Sequence, residues 1–440
     1  MIALTDRLSE RLDALEACVG RPSTCYVAFS GGLDSTVLLH ALAKSRRFTR
    51  LLAVHVDHQL HAESAIWAAQ AQAEAASFGV DCRVDRVTPE VTAGQGIEAA
   101  ARVARYAALA ERLEPGDWLV TAHHLDDQAE TLLLNLLRGS GPDGLAAMPE
   151  YRAFAAGWLV RPLLDVSRDE LAACAASSDL RWSDDPGNAE IDFDRNYLRH
   201  EILPRLALRW PDAARRLART VERQQEASQL LGEIGADDIA QSGAAGRLQV
   251  DVLAALSAPR RRNALRTAIR HAGLPMPPRN ALLAIDNELL PAREDGTPLV
   301  RWPGGEARRY RGILYLDKPL GEPPDGEFAF SGATLRLPDG LGSLVLEECG
   351  EPGIRPELVA RGLTVRWRAG GETLRVTPGG PTRALRKLLQ EASIVPWMRD
   401  RLPLIYAGDD LVAVADRYIA ASALASPGTR IRWLDAPAIA

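Results

Sequence analysis

The sequence has very little lysine. Only Lys44, Lys318 and Lys387 occur among its 440 residues, so 49 arginines carry most of the positive charge. It also has no uninterrupted apolar run of about 18 residues, the length that a membrane-spanning helix needs. Residues 1–20 lack the apolar core of a signal peptide. We therefore expect a cytoplasmic protein without a membrane partner.

Cysteine is also sparse. Five cysteines are scattered along the chain with no Cys-x-x-Cys pair, so neither a disulfide scaffold nor a cysteine-based metal site is predicted.

With 47% hydrophobic and 25% charged residues, the composition is that of a folded protein of two or three domains. The net charge of −6, taken alone, argues against a nucleic-acid partner.

Short β-rich runs alternate with longer helical patterns over the first third of the chain. This alternation predicts an α/β domain with a doubly wound parallel sheet, in which ligands bind beyond the carboxyl ends of the strands. The predicted strands are 25–29, 51–56, 80–87 and 118–122, and the predicted helices are 35–44, 63–78, 97–113 and 125–138.

Two further regions follow this domain. The pattern predicts that the α/β domain spans residues 1–210 and that a helical domain spans residues 211–320. After a linker rich in Pro, Gly and Glu, residues 327–440 alternate short strands with a helix and predict a small mixed α+β domain.

The connection after the first strand carries two glycines and two serines. An apolar strand runs into Ser30-Gly31-Gly32-Leu33-Asp34-Ser35, where a helix is predicted to start. Backbone N–H groups at a helix start, together with the two hydroxyls, form an anion site of phosphate size. The structural alternative is a tight turn with Asp34 as the helix cap. No Gly-Lys-Ser/Thr follows, so the loop is not a Walker A motif.

Polar residues also follow two other strands. Val54 and His55 lie near the carboxyl end of the second strand, where a nucleotide pocket is favoured over a metal site. The fourth strand leads into His123-His124-Leu-Asp126-Asp127-Gln-Ala-Glu130, which places Asp127 and Glu130 on one helix face. These two carboxylates are expected to bind either Mg²⁺ with ATP or the amine of a second substrate. The alternative is a favourable interaction with the helix dipole alone.

The Ser-Gly-Gly-x-Asp-Ser loop resembles that of the pyrophosphate-loop (PP-loop) ATP pyrophosphatases, a family with an adenine nucleotide alpha hydrolase-like fold. Four further motifs, in order, are similar to those of the tRNA(Ile)-lysidine synthetases. They are His55-Val-Asp-His58, Glu98-x-x-x-Arg102-x-x-Arg105-Tyr106, His123-His-x-Asp-Asp-Gln-x-Glu-Thr131 and Asn135-Leu-Leu-Arg-Gly-Ser-Gly141. The resemblance covers the first 210 residues well and the remainder more loosely.

This resemblance implies a ligase that uses ATP and Mg²⁺ to join free L-lysine to C2 of the wobble cytidine in a CAU-anticodon isoleucine tRNA. ATP first adenylates the cytidine C2 oxygen with release of pyrophosphate, and the uncharged lysine amine then displaces AMP. A homodimer is a candidate assembly. The alternatives are a PP-loop tRNA thiolase, which usually relies on catalytic cysteines, and a nucleotide-binding protein without turnover.

The same resemblance assigns roles to residues of this chain. The expected catalytic residues are Asp34, Asp127, Glu130 and Arg105, and the expected ATP contacts are Ser30, Gly31, Gly32, Leu33, Asp34, Ser35, Val54 and His55. The expected substrate contacts are His123, Asp127, Glu130, Arg195, Arg386, Lys387 and Arg399, and Asp34 and Asp127 are candidate Mg²⁺ ligands.

The charge is distributed unevenly along the chain, which weakens the argument from net charge against a nucleic-acid partner. From Arg361 to the end there are 12 basic against 7 acidic residues, a balance of +5, while the first 360 residues sum to −11. This basic domain and the run Arg260-Arg261-Arg262, with Arg266 and Arg270, are the candidate RNA contacts. Trp397, between basic residues, fits a stacking surface and a core tryptophan equally.

Overall fold

The computed structural model describes residues 4–61, 63–91, 96–183, 193–244, 246–293, 296–338 and 340–437, and only the backbone of Glu98. The chain forms two compact units, Met1–Leu231 and Gly232–Ala440. In the described residues, no helix has both the length and the apolar character needed to cross a membrane.

The first unit alternates strands and helices. Its strands are β1 (Cys25–Ala28), β2 (Leu51–Asp57), β3 (Asp81–Arg86), β4 (Trp118–Val120), β5 (Tyr151–Phe154) and β6 (Gly157–Val160). Its helices are α1 (Leu4–Val19), α2 (Leu33–Ser45), α3 (Ser64–Ser77), α4 (Ile97–Ala110), α5 (Leu125–Leu137), α6 (Pro142–Leu145), α7 (Arg168–Ser177), α8 (Asp194–Tyr197) and α9 (Leu203–Arg209), with a π-helical turn at Leu198–Ile202. Helix α10 (Ala213–Ser242) carries residues of both units.

The strands of the first unit form one sheet in the order β3-β2-β1-β4-β6-β5. Every pairing in it is parallel except that of the edge strand β5 with β6. Val27 of β1 is fully buried in one apolar cluster with residues of α2, as expected of a central parallel strand that is covered on both faces. The predicted doubly wound sheet is confirmed, and the carboxyl ends of β1, β2 and β4 lie side by side.

The second unit contains short helices and antiparallel sheets. Its helices are α11 (Val250–Ala255), α12 (Ala258–His271), α13 (Arg279–Ala284), α14 (Pro356–Ala360), α15 (Leu385–Glu391) and α16 (Pro396–Arg399), with a π-helical turn at Ile285–Leu289. Its strands are β7 (Gly243–Ala244), β8 (Arg247–Gln249), β9 (Leu299–Trp302), β10 (Gly305–Tyr310), β11 (Ile313–Asp317), β12 (Glu327–Phe330), β13 (Thr334–Arg336), β14 (Ser343–Cys349), β15 (Gly353–Ile354), β16 (Leu363–Arg366), β17 (Thr373–Leu374), β18 (Arg383–Ala384), β19 (Leu404–Ala407), β20 (Asp410–Val414), β21 (Tyr418–Ile419), β22 (Leu424–Ala425) and β23 (Gly428–Leu434).

The middle of the chain is helical, as expected, from α10 to α13. It also contains an antiparallel sheet in the order β7-β8-β11-β10-β9, which the helical pattern did not predict. The last part, from β12 onward, is the expected mixture of strands and helices around an apolar core that also includes Tyr315 of β11. The predicted boundary at 210/211 falls between α9 and α10 and stays a prediction.

Candidate active site

The loop after β1 is built to present backbone N–H groups. Gly31 has a φ of +81°, a left-handed conformation that favours glycine. Helix α2 begins at Leu33 with Gly32 as its N-cap and no side-chain cap, so Asp34 is not the capping residue. The Ser30 and Ser35 hydroxyl oxygens lie 3.0 Å apart, and the Ser35 hydroxyl donates to the Gly32 carbonyl at 3.0 Å. The loop thus combines a helix N-terminus with two hydroxyls, which suits a phosphate.

His124 links this loop to helix α5. Its imidazole Nε2 is 3.5 Å from one carboxylate oxygen of Asp34 and 3.5 Å from one of Asp127, and its Nδ1 is 3.6 Å from Asp126. The backbone N–H of His124 also donates to Asp127 at 3.0 Å. His124 is 1% exposed, so its ring is shielded from water in all of these contacts. One buried side chain therefore sets the spacing between Asp34 and Asp127.

The carboxylates on α5 are neutralised by two arginines. The Arg195 Nε donates to Glu130 at 2.7 Å, and the Arg199 Nε donates to the other Glu130 oxygen at 2.7 Å. Both guanidinium groups also donate to Asp127 Oδ1 at 3.0 Å. The side chain of Glu130 is fully buried, whereas that of Asp127 is 11% exposed. Asp127 is thus the carboxylate of the pair with an accessible edge.

The two neighbouring histidines have opposite pKa shifts. Burial, reinforced by the charges of Arg161 and Arg195, lowers the pKa of His123 to about 3 despite the opposing charge of Asp127. Burial also opposes the charged form of His124, but the carboxylates of Asp126, Asp34 and Asp127 outweigh it and raise the pKa of His124 to about 10. His123 is therefore neutral and His124 charged at neutral pH.

We expect neither histidine to titrate between pH 5 and 8, and ¹⁵N-imidazole NMR would measure this. Since the pKa of His124 rises from 6.5 to about 10 on folding, its stabilisation is complete below pH 6.5 and is lost as the pH rises towards 10. Since the pKa of His123 falls from 6.5 to about 3, its neutral ring destabilises the folded state as the pH falls below 6.5. A midpoint near 6.5 for either ring would contradict the assignment.

Three other predicted site residues lie outside this cluster. The side chain of Val54 is buried in an apolar cluster with Leu109 and Leu119. His55 is buried as well, and its Nδ1 lies 3.0 Å from the Phe29 carbonyl. Arg105 lies near His58, whose pKa is lowered first by burial and then by the Arg105 charge. The ATP roles of Val54 and His55 and the catalytic role of Arg105 stay predictions.

The candidate RNA contacts lie in the second unit and differ in how exposed their side chains are. Arg386 and Lys387 are exposed on α15. Arg399 is half-buried and donates to the Ile394 carbonyl at 2.9 Å and the Tyr310 hydroxyl at 3.0 Å. Trp397 is half-buried and packs edge-on against Tyr315 with 5.1 Å between ring centroids, so it lies against the apolar core.

Buried acids engage the arginine run at the start of α12. Asp286 pairs with both Arg261 and Arg262, and Asp238 pairs with Arg260. Arg266 remains exposed on the same helix. The run therefore helps to hold its own domain together, and its first three members are less available to RNA than the sequence indicated.

Sequence reasoning missed two members of the site, His124 and Arg199. His124 was overlooked because its neighbour His123 had the same sequence signal, and only the contacts of His124 with Asp34, Asp126 and Asp127 distinguish them. Arg199 lies four residues after Arg195, a spacing that places both on one helical face. That spacing was the available signal.

Three segments of the chain match known families. Residues 5–206 match the family described as PP-loop domain, residues 248–315 the TilS substrate binding domain, and residues 363–433 the TilS substrate C-terminal domain. The matches follow the order of the three predicted regions.

Similar proteins extend along nearly the whole chain. The tRNA(Ile)-lysidine synthase of Alkalilimnicola ehrlichii is 44% identical over 437 residues, which cover 98% of each chain. That of Escherichia coli O157:H7 is 41% identical over 399 residues, 89% of this chain and 92% of the relative. Among solved structures, the U34-tRNA thiolase of Methanococcus maripaludis aligns with 50% of this chain and 79% of its own at 18% identity, with a TM-score of 0.40.

Proposed function

Since this chain belongs to the tRNA(Ile)-lysidine synthase family, we propose that it joins free lysine to the wobble cytidine of a CAU-anticodon isoleucine tRNA, at the expense of ATP. The reaction has two steps. The C2 oxygen of the cytidine attacks the α-phosphorus of ATP, and the bond to pyrophosphate breaks. The lysine ε-amine then attacks C2, loses a proton, and the bond from C2 to the AMP oxygen breaks.

The first step draws on the loop after β1. The N–H groups at the start of α2 and the Ser30 and Ser35 hydroxyls bind the departing pyrophosphate, because they supply donors to negative charge without a reorganisation cost. Asp34, in the first turn of α2, lies between this loop and His124. Its carboxylate is thereby held at the junction of the phosphate and amine sites.

The second step draws on the charge cluster of α5. Asp127 binds an ammonium group of lysine through its accessible edge, since its side chain is 11% exposed. The Glu130 side chain is fully buried and its oxygens accept from the two arginines, so Glu130 orients Arg195 and Arg199 rather than lysine. The two guanidinium groups supply further donors for the lysine carboxylate. The neutral ring of His123 adds no charge to repel the amine.

Mg²⁺ supplies charge neutralisation on the ATP phosphates when bound. A shared site between Asp34 and Asp127 fits poorly, since His124 Nε2 lies 3.5 Å from both carboxylates and arginines occupy the other Asp127 oxygen. The described residues contain no cluster of three potential metal ligands. Asp34 has a buried Oδ1 without a hydrogen-bond partner, which suits one carboxylate contact to a phosphate-bound Mg²⁺. We therefore retain Asp34 as the Mg²⁺ contact.

The tRNA backbone is contacted by exposed cations of the second unit. Arg386 and Lys387 extend from α15 without an ion pair among the described residues, and they suit phosphate contacts. The Arg399 contact requires the side chain to keep its Tyr310 partner while it reaches a phosphate. A second copy of the chain stays a candidate partner, which sedimentation would test.

The observation that carries the proposal is the junction at His124, where a phosphate loop and a carboxylate–arginine cluster meet. The test is transfer of labelled lysine to a CAU-anticodon transcript with release of AMP and pyrophosphate. A thiolase would instead transfer sulfur and leave lysine free. Such an enzyme usually relies on a catalytic cysteine, whereas burial raises the pKa of the Cys82 thiol to about 11 and disfavours its reactive thiolate. A binding protein without turnover would release no pyrophosphate. Either result would overturn the proposal.

A further inference from the structure

An ordered pair of aromatic rings lies at the end of β2. The imidazole of His61 and the indole of Trp67 are stacked, with ring centroids 4.7 Å apart and planes inclined by 17°. His61 lies in the connection between β2 and α3 and is exposed, whereas Trp67 is half-buried on α3. The indole covers one face of the imidazole.

The exposed ring is held in place. Nδ1 of His61 accepts a hydrogen bond from the Glu63 backbone N–H at 3.1 Å, and the His61 carbonyl accepts one from Ser64 at 3.1 Å. An exposed side chain ordinarily loses rotamer freedom when a ligand fixes it, and that loss weakens binding. Here the stack and the hydrogen bond have already ordered the ring.

The pair lies one helical turn from the phosphate loop. Trp67 precedes Ala71 by four residues, so the two side chains share one face of α3. A methyl group on Gly31 would lie 3.7 Å from the Ala71 Cβ, which shows that this face of α3 covers the loop. Ser183 links the phosphate loop to α3. Its N–H donates to the Gly31 carbonyl at 2.9 Å, and its hydroxyl donates to the Gln70 side chain at 3.0 Å.

We propose that the His61–Trp67 stack is a nucleobase platform for the anticodon loop of the tRNA substrate. The inference rests on the proposed function. To reach the α-phosphorus of ATP, the wobble base must leave the stack of its neighbours, and an aromatic face at the rim of the site offsets the lost stacking. ATP also carries a nucleobase, so the experiment must distinguish the two sources.

A purely structural role makes a different prediction. Trp67 is the fourth residue of α3 and His61 lies just before the helix, positions close to those of a hydrophobic staple. A staple stabilises the helix start. Its removal would lower the melting temperature and leave the KM for each substrate unchanged.

The test compares Trp67→Ala, Trp67→Phe and His61→Ala in the full chain, with lysine transfer measured over ranges of tRNA, ATP and lysine. We expect Trp67→Ala to raise the KM for tRNA by about 5- to 150-fold, the usual effect of removing one stacked aromatic. The KM values for ATP and lysine should stay within about twofold of wild type. Trp67→Phe should restore most of the loss, because it keeps an aromatic face.

The matched control is Tyr151→Ala, which removes an exposed aromatic from the edge strand β5 and should leave the KM for tRNA unchanged. A rise in the KM for ATP alone would assign the stack to adenine and overturn the tRNA assignment. A lower melting temperature with unchanged KM values would identify a staple and overturn the platform.

Binding of a CAU-anticodon stem-loop RNA to the same variants separates this inference from the proposed function. If the wild-type chain transfers no lysine, the proposed function fails. Weaker stem-loop binding by Trp67→Ala, with recovery in Trp67→Phe, would still support the platform, and equal binding by all variants would overturn it.

Discussion

Replacing Glu130 by glutamine is expected to stop lysine transfer and to lower the free energy of unfolding by about 3–5 kcal/mol, as when one partner of a buried ion pair is removed. The side chain of Glu130 is fully buried, and each of its oxygens accepts a hydrogen bond from an arginine Nε at 2.7 Å. Glutamine keeps the shape but loses the charge. Arg195 and Arg199 would then share only the carboxylate of Asp127.

Activity is lost for the same reason. Two guanidinium groups that compete for Asp127 draw its carboxylate away from the lysine ammonium, so the amine site changes even though Glu130 does not touch lysine. Urea unfolding and lysine transfer would measure the two effects. The double variant Glu130→Gln/Arg199→Gln removes one charge of each sign. If the uncompensated arginine charge causes the losses, this variant should recover part of the free energy of unfolding and keep the Asp127 carboxylate in place.

A matched control lies nearby. Glu201 and Arg205 form an ion pair at 3.0 Å one helical turn apart, with side chains 37% and 75% exposed. Because water screens this pair, Glu201→Gln should cost no more than about 1 kcal/mol and should leave lysine transfer intact. Equal losses of stability for Glu130→Gln and Glu201→Gln would contradict the importance of burial.

The parts of the fold that could be predicted are those whose signals are local. The apolar run at Cys25–Ala28 followed by glycines and serines identified a strand, a turn and a phosphate loop. Asp127 and Glu130 share a helix face through their spacing alone. In each case, neighbouring residues in the sequence are also neighbours in space.

What escaped prediction depends on contacts between distant residues. Arg195 meets Glu130 across 65 positions of sequence, and no pattern within either segment indicates the other. Strand β10 (Gly305–Tyr310) was missed because the charged residues Glu306, Arg308 and Arg309 interrupt the alternation of apolar and polar residues that indicates a strand. Of these, Glu306 is buried through ion pairs with Arg301 and Arg308. From the sequence, Trp397 could be a stacking surface or a core residue, and its packing against Tyr315 shows that it lies half-buried against the core.

Asp34→Ala and Asp127→Ala are both expected to abolish lysine transfer, but at different steps. Exchange of labelled pyrophosphate into ATP, in the presence of tRNA and without lysine, reports adenylation alone. Loss of Asp34 removes the carboxylate beside the phosphate loop, so exchange should fall by about 10²–10³-fold, as for a deleted electrostatic contact. Loss of Asp127 should leave exchange within about tenfold of wild type while lysine transfer disappears.

His124 couples Asp34 to Asp127, so the effects of the two substitutions on the two steps are not fully separate, and this coupling can be measured. Because its Nε2 lies 3.5 Å from both carboxylates, removal of either one frees the ring to shift towards the other. The effects of Asp34→Asn and His124→Asn on exchange should therefore be non-additive, with the double variant little worse than the poorer single variant. Strictly additive effects would mean that His124 does not couple Asp34 to the amine site. Full activity in both Asp34→Ala and Asp127→Ala would remove the site assignment altogether.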